Sequence, residues 1–485
     1  MNSGGQAAQE SSVPKIRALI VGAGISGLST AYELSVLRPD WDIRVVEAES
    51  RAGGKALSDR LAGLGAGDYT VDAGPNGFLT NVPDAYELAR ELGLEVFSAS
   101  DQARKRFIFV GGRLHAAPSS ALAFFRSSLL PLRGKLRVAF EPFAARAPHG
   151  VDETVYAFAR RRLGKAFADV LIMSMVQGVS AGDAREISLR SLFPRMWAME
   201  REYGGLVAAL LGKRWRQWRS HSLVSATERS GPAGPGGRLS TIAEGGIGAL
   251  VEALSAHLGE RLQLGAPLQS LRRADGLWEC VVGGEKRQAE VLVLATPAYV
   301  SSALLQSLDA EAARLAGSIP YTPVAVVALG FDAEAFPQAL DGFGFLVSPF
   351  EGCRIMGCLW TSSCFPQQAP AGKVLLRVLV GGSFAPNMLA LDDERLLEEV
   401  LDALRFTMGL RASPEMHKLY RWPLGIPQYA PGHAALVEQL EERLSAFPGL
   451  ALCSNGFGGI GVNDCVRRGR ELARRLVAER ERGRA

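Results

Sequence analysis

Glycines are the residues of this chain best placed to do chemistry. Gly22, Gly24 and Gly27 form a G-x-G-x-x-G run directly after the apolar stretch 16–21, and a helical pattern over 28–37 follows. A second apolar stretch, 43–46, ends at Glu47. Strand, glycine turn, helix, strand and acid in that order suit a dinucleotide. Gly22 allows the tight turn, Gly24 lets backbone approach a pyrophosphate, and Gly27 allows close helix–strand packing. The helix N-terminus adds unpaired N–H groups and the positive end of a dipole. A carboxylate at Glu47 would accept hydrogen bonds from ribose hydroxyls and repel a 2′-phosphate, which disfavours NADP.

Beyond the acid stand Arg51, Gly53, Gly54 and Lys55. Paired glycines let a second backbone segment pass close to a bulky ligand, and the cations suit a pyrophosphate. This E-x-x-x-R-x-G-G run resembles the flavin amine oxidase superfamily, which implies FAD. Near the other end, the strand-like stretch 450–453 leads into Gly456, Gly458, Gly459, Gly461, Val462, Asn463 and Asp464, and a charged helix is expected over 467–482. Glycines before a helix make a second anion site, suited to the negative charge of a reduced flavin. Asp464 is expected to be that helix's N-cap.

The elements that must hold these loops come from an ordinary globular composition. The 485 residues are 47% hydrophobic and 21% charged, with 54 basic against 50 acidic side chains, a net charge of +4. That balance excludes a general nucleic-acid binder, which needs a concentrated basic stripe. No stretch reads as a signal peptide or membrane span. The six cysteines and six histidines show no metal or disulfide spacing, so no metal is expected. A cytoplasmic protein, peripherally associated with a membrane surface, is the expectation.

The middle of the chain reads as a hairpin over 101–118 turning at Gly111-Gly112, then helices over 119–150 and 195–219 in which apolar residues alternate with arginines and lysines, Trp215 and Trp218 among them. That mixture suits an anionic membrane surface. A Gly/Pro/Ser-rich loop covers 221–239, and Gly245-Gly246 opens a helix. Strands over 277–282 and 289–295 are expected to pair. Further strands over 324–329, 343–347, 355–360 and 375–380 suggest a mixed sheet.

With these stretches in place, the chain resembles the oxygen-dependent protoporphyrinogen oxidases over essentially its whole length after residue 14. The resemblance rests on the glycine fingerprint with Gly53-Gly54-Lys55, on Gly74-Pro75-Asn76, and on Arg106-Phe107 before Val110-Gly111-Gly112. It continues through Asp152-Glu153-Thr154-Val155, Gly178 to Asp183, Gly342 to Val347, Val380 to Ser383, Ile426 to Tyr429 with Gly432-His433, and Gly461 to Cys465. It implies an α/β fold with three parts. A discontinuous, Rossmann-like, amine-oxidase-type FAD-binding domain takes 14–100, 240–306 and 447–485, after a flexible tail at 1–13. A mixed-sheet substrate domain takes 101–114 and 307–446, and a helical membrane-docking domain takes 115–220.

The implied reaction is the penultimate step of heme synthesis. Protoporphyrinogen IX loses six electrons in three hydride transfers to one non-covalent FAD, and three O2 become three H2O2. The resemblance places Gly22, Gly24, Ile25, Ser26, Gly27, Glu47, Ala48, Arg51, Gly53, Gly54, Lys55, Gly74, Pro75, Asn76, Leu268, Thr296, Trp422, Gly461, Val462 and Asn463 at the cofactor. Arg106 would bind a propionate, with Arg104 and Lys105 leaving the register open by one residue. Phe343, Leu346 and Leu379 would sandwich the macrocycle, and the Gly178 carbonyl would stabilise its developing charge. No dedicated side-chain acid or base is expected, because positioning is the main contribution. The other implied partners are molecular oxygen, an anionic membrane surface, ferrochelatase and a second copy in a homodimer, with no nucleic acid. Three alternatives stay open: a coproporphyrinogen III oxidase, a flavin amine oxidase, and a non-catalytic carrier of the Rab escort type.

Overall fold

Short apolar runs from far-apart parts of the chain lie side by side in the computed structural model, which describes residues 17–63, 67–148, 150–209, 237–336 and 340–482. Leu262–Gln263, Asp42–Val46, Arg17–Val21, Val291–Leu294 and Leu450–Leu452 form one parallel sheet in that order. Val291–Leu294 is buried throughout, as a central parallel strand must be when both faces are covered. One face carries the helices Ile25–Leu37 and Val462–Arg482, which cross closely at Gly469; a Cβ there would stand 2.8 Å from the Ser26 carbonyl oxygen. Glu33, only 4% exposed, takes Arg470 and Arg474 from the second helix at 2.8 Å each.

A seven-stranded mixed sheet runs Met416–Pro427, Tyr321–Asp332, Lys373–Gly381, Ile355–Trp360, Gly344–Val347, Phe107–Val110, Arg113–Ala116. Its pairs are antiparallel except Gly344–Val347 with Phe107–Val110. The hairpin expected from Gly111-Gly112 is therefore the edge of this sheet, and both glycines take positive φ. Met416–Pro427 was not recognised as a strand in the sequence, because lysine, arginine and proline interrupt its apolar pattern.

Three expectations need correction. Leu277–Val282 pairs with Glu285–Ala289, not with 289–295. Gly283 and Gly284, at φ 57° and 88°, turn the chain straight back, as two-residue hairpins require, and Val291–Leu294 then enters the parallel sheet. The two helices beside the cofactor loops start earlier than expected, at Ile25 and Val462. Asp464 consequently sits inside the first turn, paired with Arg467 at 2.6 Å, and is not the N-cap. Trp215 and Trp218, the tail 1–13 and residues 221–236 lie outside the described residues, while Leu239 opens the strand Leu239–Ile242.

The helical region between the sheets is organised by a buried ion pair. Arg162 and Glu141 are both fully buried and bonded to each other. Arg162 also donates to the carbonyls of Ala144 (3.0 Å) and Gly204 (2.9 Å). Glu141 accepts from the backbone of Leu206 (3.0 Å) and Val207 (3.1 Å). Each charge is tolerated only because the other and these backbone groups satisfy it. Arg162→Met alone is expected to destabilise the chain by roughly 3–5 kcal/mol. Adding Glu141→Leu should recover more than half of that, measured by urea titration. Equal loss in the single and double variants would contradict this account.

Candidate functional site

The glycine turn is closed on its inner side and open on its outer side. Gly22 has φ +103°, and a Cβ there would lie 2.9 Å from the Ala295 carbonyl oxygen. A Cβ on Gly27 would reach 2.0 Å from the Gly22 oxygen. Gly24 has nothing within 4 Å of its Cβ position, and the helix Ile25–Leu37 begins there with no side-chain cap. Ile25, Ser26 and Gly27 are buried beneath this opening. Glu47 steadies the turn as well as facing it, accepting from Ala23 N at 2.7 Å and Glu49 N at 3.0 Å. Ala48 is exposed beside it. Leu268 is half-buried at the head of its strand, just past Ala266, whose N–H donates to the Glu47 carbonyl at 2.7 Å.

The second glycine pair folds back onto the first. Gly53 N donates to the Ala23 carbonyl at 2.7 Å, and Gly54, at φ +56°, has only the Gly24 Cα near its Cβ position. Arg51 braces the segment by donating to the Ala52 and Gly54 carbonyls at 3.2 and 2.7 Å. Lys55 lies inside, its ammonium 5.3 Å from the Tyr321 ring centroid. Burial lowers its pKa from the ordinary 10.5 to about 8, and no carboxylate pairs with it among the described residues. An uncapped helix start, open space over two glycines and a half-buried unpaired cation fit the pyrophosphate of FAD.

A wall from the substrate side completes this cradle. Gly74 presses on Lys55, whose carbonyl oxygen would be 1.9 Å from an added Cβ. Pro75 and Asn76 are half-buried next to it, and Trp422 donates to the Ala73 carbonyl at 2.8 Å. Thr296 shares a hydrogen bond with Ser301 at 2.8 Å. Gly461 is exposed and Val462 buried. Asn463 spends its side chain on the protein itself, accepting from Ala85 N and donating to the Leu79 carbonyl, both at 3.0 Å.

The sequence-predicted substrate residues fall into two groups. Gly178 lies in the helix Met173–Ser180, where a Cβ would meet Leu346 Cδ2 at 2.6 Å. The helix passes that glycine and ends at Ala181 in the left-handed region. Leu379 packs beside Ala181, Val324 and Met356 and is paired across the sheet with Gly357, which also adjoins Leu346. In the second group, the exposed Arg106 guanidinium stacks 5.0 Å from the Phe343 ring centroid. Its neighbours each contact a carboxylate: Arg104 lies 3.2 Å from Asp101, which also pairs with Arg238, and Lys105 pairs with Asp341. Arg106 thus has no carboxylate partner among the described residues.

Sequence reasoning missed the residues that join the two halves. Arg377, in the seven-stranded sheet, donates to the Asp72 carbonyl at 2.7 Å and to that of Gly74. The Asp72 carboxylate accepts from Ser58 (2.5 Å), Ile247 N (3.0 Å) and Gln368 (3.1 Å). A lone arginine between Leu376 and Val378 was the available signal.

Comparison with known proteins gives a consistent picture. The family model described as flavin containing amine oxidoreductase matches residues 25–477. The coproporphyrinogen III oxidase of Bacillus subtilis is 28% identical over 471 residues, covering 94% of this chain and 97% of that one. The protoporphyrinogen oxidase of Bos taurus is 32% identical over 478 residues, covering 95% and 98%. A crystal structure of a candidate protoporphyrinogen oxidase from Exiguobacterium superposes with a TM-score of 0.80 at 25% identity, covering 96% of this chain and 99% of the other.

Lys55 offers a test of the cradle. Near pH 9 its side chain is mostly neutral in the free chain, and a pyrophosphate beside it would favour the charged form and raise its pKa. FAD binding to the apoprotein at pH 9 is expected to take up about one proton at most, seen by calorimetry in buffers of different ionisation heat. Lys55→Met should abolish the uptake. No uptake by the unaltered chain would place Lys55 away from the phosphates.

Proposed function

The chain belongs to the flavin-containing amine oxidoreductases, and on that premise we propose that it oxidises protoporphyrinogen IX to protoporphyrin IX with oxygen as the final acceptor. Its cofactor is FAD, and its curated relatives are named coproporphyrinogen III oxidase and protoporphyrinogen oxidase, which supports porphyrinogen oxidation in heme biosynthesis. When bound, FAD accepts a hydride from the substrate and passes the electron pair to oxygen. Over three turns the substrate loses six electrons and six protons, and three O2 become three H2O2.

The observation that carries the dicarboxylate reading is the state of the three basic residues at 104–106. Lys105 pairs with Asp341, Arg104 shares Asp101 with Arg238, and Arg106 has no carboxylate partner among the described residues and lies 5.0 Å from the Phe343 ring centroid. A planar guanidinium in that position suits a propionate. Leu346 supplies apolar surface beside Gly178 and Leu379 beside Ala181, and the Gly178 carbonyl lies in the last turn of its helix, where carbonyls lack intrahelical partners. In this reading these groups hold the macrocycle, which is puckered at its sp3 meso carbons until it is oxidised, and the barrier falls chiefly by positioning. The Bacillus relative supports a second reading, in which the substrate is coproporphyrinogen III.

We also propose that the helices Ala121–Arg126 and Leu132–Ala139 face a lipid surface. Leu122 (61%), Leu132 (71%) and Phe143 (83%) are exposed there among arginines, a pattern suited to anionic lipid. No helix among the described residues is long and apolar enough to cross a membrane.

Losing a charge-assisted hydrogen bond of about 1.5–3 kcal/mol should make Arg106→Ala raise the KM for protoporphyrinogen IX roughly 10- to 100-fold, with flavin content and kcat retained. An unchanged KM would remove Arg106 from the substrate site. The unaltered enzyme should consume three O2 per porphyrin formed, measured with an oxygen electrode, and a lower ratio would contradict oxygen as acceptor.

A further inference from the structure

The corner around Arg106 is more heavily charged than one propionate contact needs. Asp101, Arg104, Lys105 and Arg106 lie on one segment, and Asp341 and Phe343 on the segment beside it. The two are joined by Phe343 N donating to the Lys105 carbonyl at 2.7 Å. Arg238 arrives from a third segment and pairs with Asp101, which Arg104 also contacts at 3.2 Å. Lys105 pairs with Asp341. Among the described residues this corner holds four cations and two carboxylates, a difference of 4 − 2 = +2.

We propose that Asp341 is a specificity-determining residue that holds this corner's net positive charge low enough for a porphyrinogen bearing two carboxylates to be preferred over one bearing four, with Asp101 acting in the same sense. The inference rests on the porphyrinogen reading above. It concerns a residue that acts by repulsion, the element that discrimination between similar ligands commonly requires. Coulomb energy scales with the charge of the ligand. Each aspartate therefore penalises a tetracarboxylate more than a dicarboxylate, by an amount set by how near the extra carboxylates come. Asp341 acts a second time by occupying Lys105, which would otherwise be free to meet a further carboxylate one residue from Arg106. Both side chains of that pair are well exposed, Lys105 at 61% and Asp341 at 46%. A pair so exposed contributes little to stability, so removing it changes the local charge without threatening the fold.

The test compares kcat/KM for protoporphyrinogen IX and coproporphyrinogen III in the FAD-loaded full chain and in two variants of opposite charge effect. The unaltered enzyme is expected to prefer the dicarboxylate. Asp341→Asn should move the ratio about fivefold toward the tetracarboxylate, and Lys105→Gln should move it away, with both shifts shrinking at about 0.5 M salt. A common structural disturbance would move both variants the same way, so opposite signs identify charge as the cause. A ratio within about twofold of the starting value in Asp341→Asn, or shifts of the same sign, would overturn the proposal. Preference of the unaltered enzyme for the tetracarboxylate would overturn it too while leaving the oxidase reading in place. Oxidation of neither compound would overturn both.

Discussion

A guanidinium sealed away from water joins the cofactor cradle to the substrate sheet. Arg377 is 5% exposed and Asp72 is 3% exposed. Burial lowers the Arg377 pKa to about 10 and raises that of Asp72. Each of these buried groups needs polar partners, because an unpaired buried ion costs several kcal/mol. Hydrogen bonds offset that cost: Arg377 donates to the carbonyls of Asp72 and Gly74, and the Asp72 carboxylate accepts from Ser58, Ile247 N and Gln368. The segment 72–74 is thereby fixed against the seven-stranded sheet. Its carbonyls also receive Trp422, and Gly74 sets the position of Lys55.

This constraint explains why few reactive side chains are needed. The cysteines with resolved shifts are pushed up by burial, Cys364 and Cys465 to about 12, and so stay protonated thiols. His433 is lowered to about 4 by burial and by Arg468, so it is neutral at ordinary pH. Hydride transfer to a flavin asks chiefly that donor and acceptor be held at fixed separation. The site's glycines serve the same end: Gly27 and Gly178 are positions where a Cβ would collide with the Gly22 oxygen or with Leu346.

Local order made the cofactor half legible in the sequence. Gly22 to Gly27, Glu47 and Gly53 to Lys55 lie within forty residues, and each role follows from backbone geometry that glycine or a carboxylate imposes. Long-range pairings were not legible. Arg377 and Asp72 are 305 positions apart, and nothing near either residue names the other. The strand Val291–Leu294 was assigned to the wrong partner because its apolar run suits a hairpin as well as a buried parallel strand; only the Gly283-Gly284 turn distinguishes them. Among 104–106, the sequence favoured Arg106 with the register open by one residue, and in the structure Arg106 is the one of the three without a carboxylate partner among the described residues.

The central claim is that a porphyrinogen delivers its hydride to the flavin held in this cradle. Anaerobic mixing of the purified, FAD-loaded protein with protoporphyrinogen IX, following flavin absorbance in a stopped-flow instrument, tests it directly. The account predicts rapid bleaching that reverses when oxygen is admitted. A flavin that stays oxidised with both protoporphyrinogen IX and coproporphyrinogen III would contradict it.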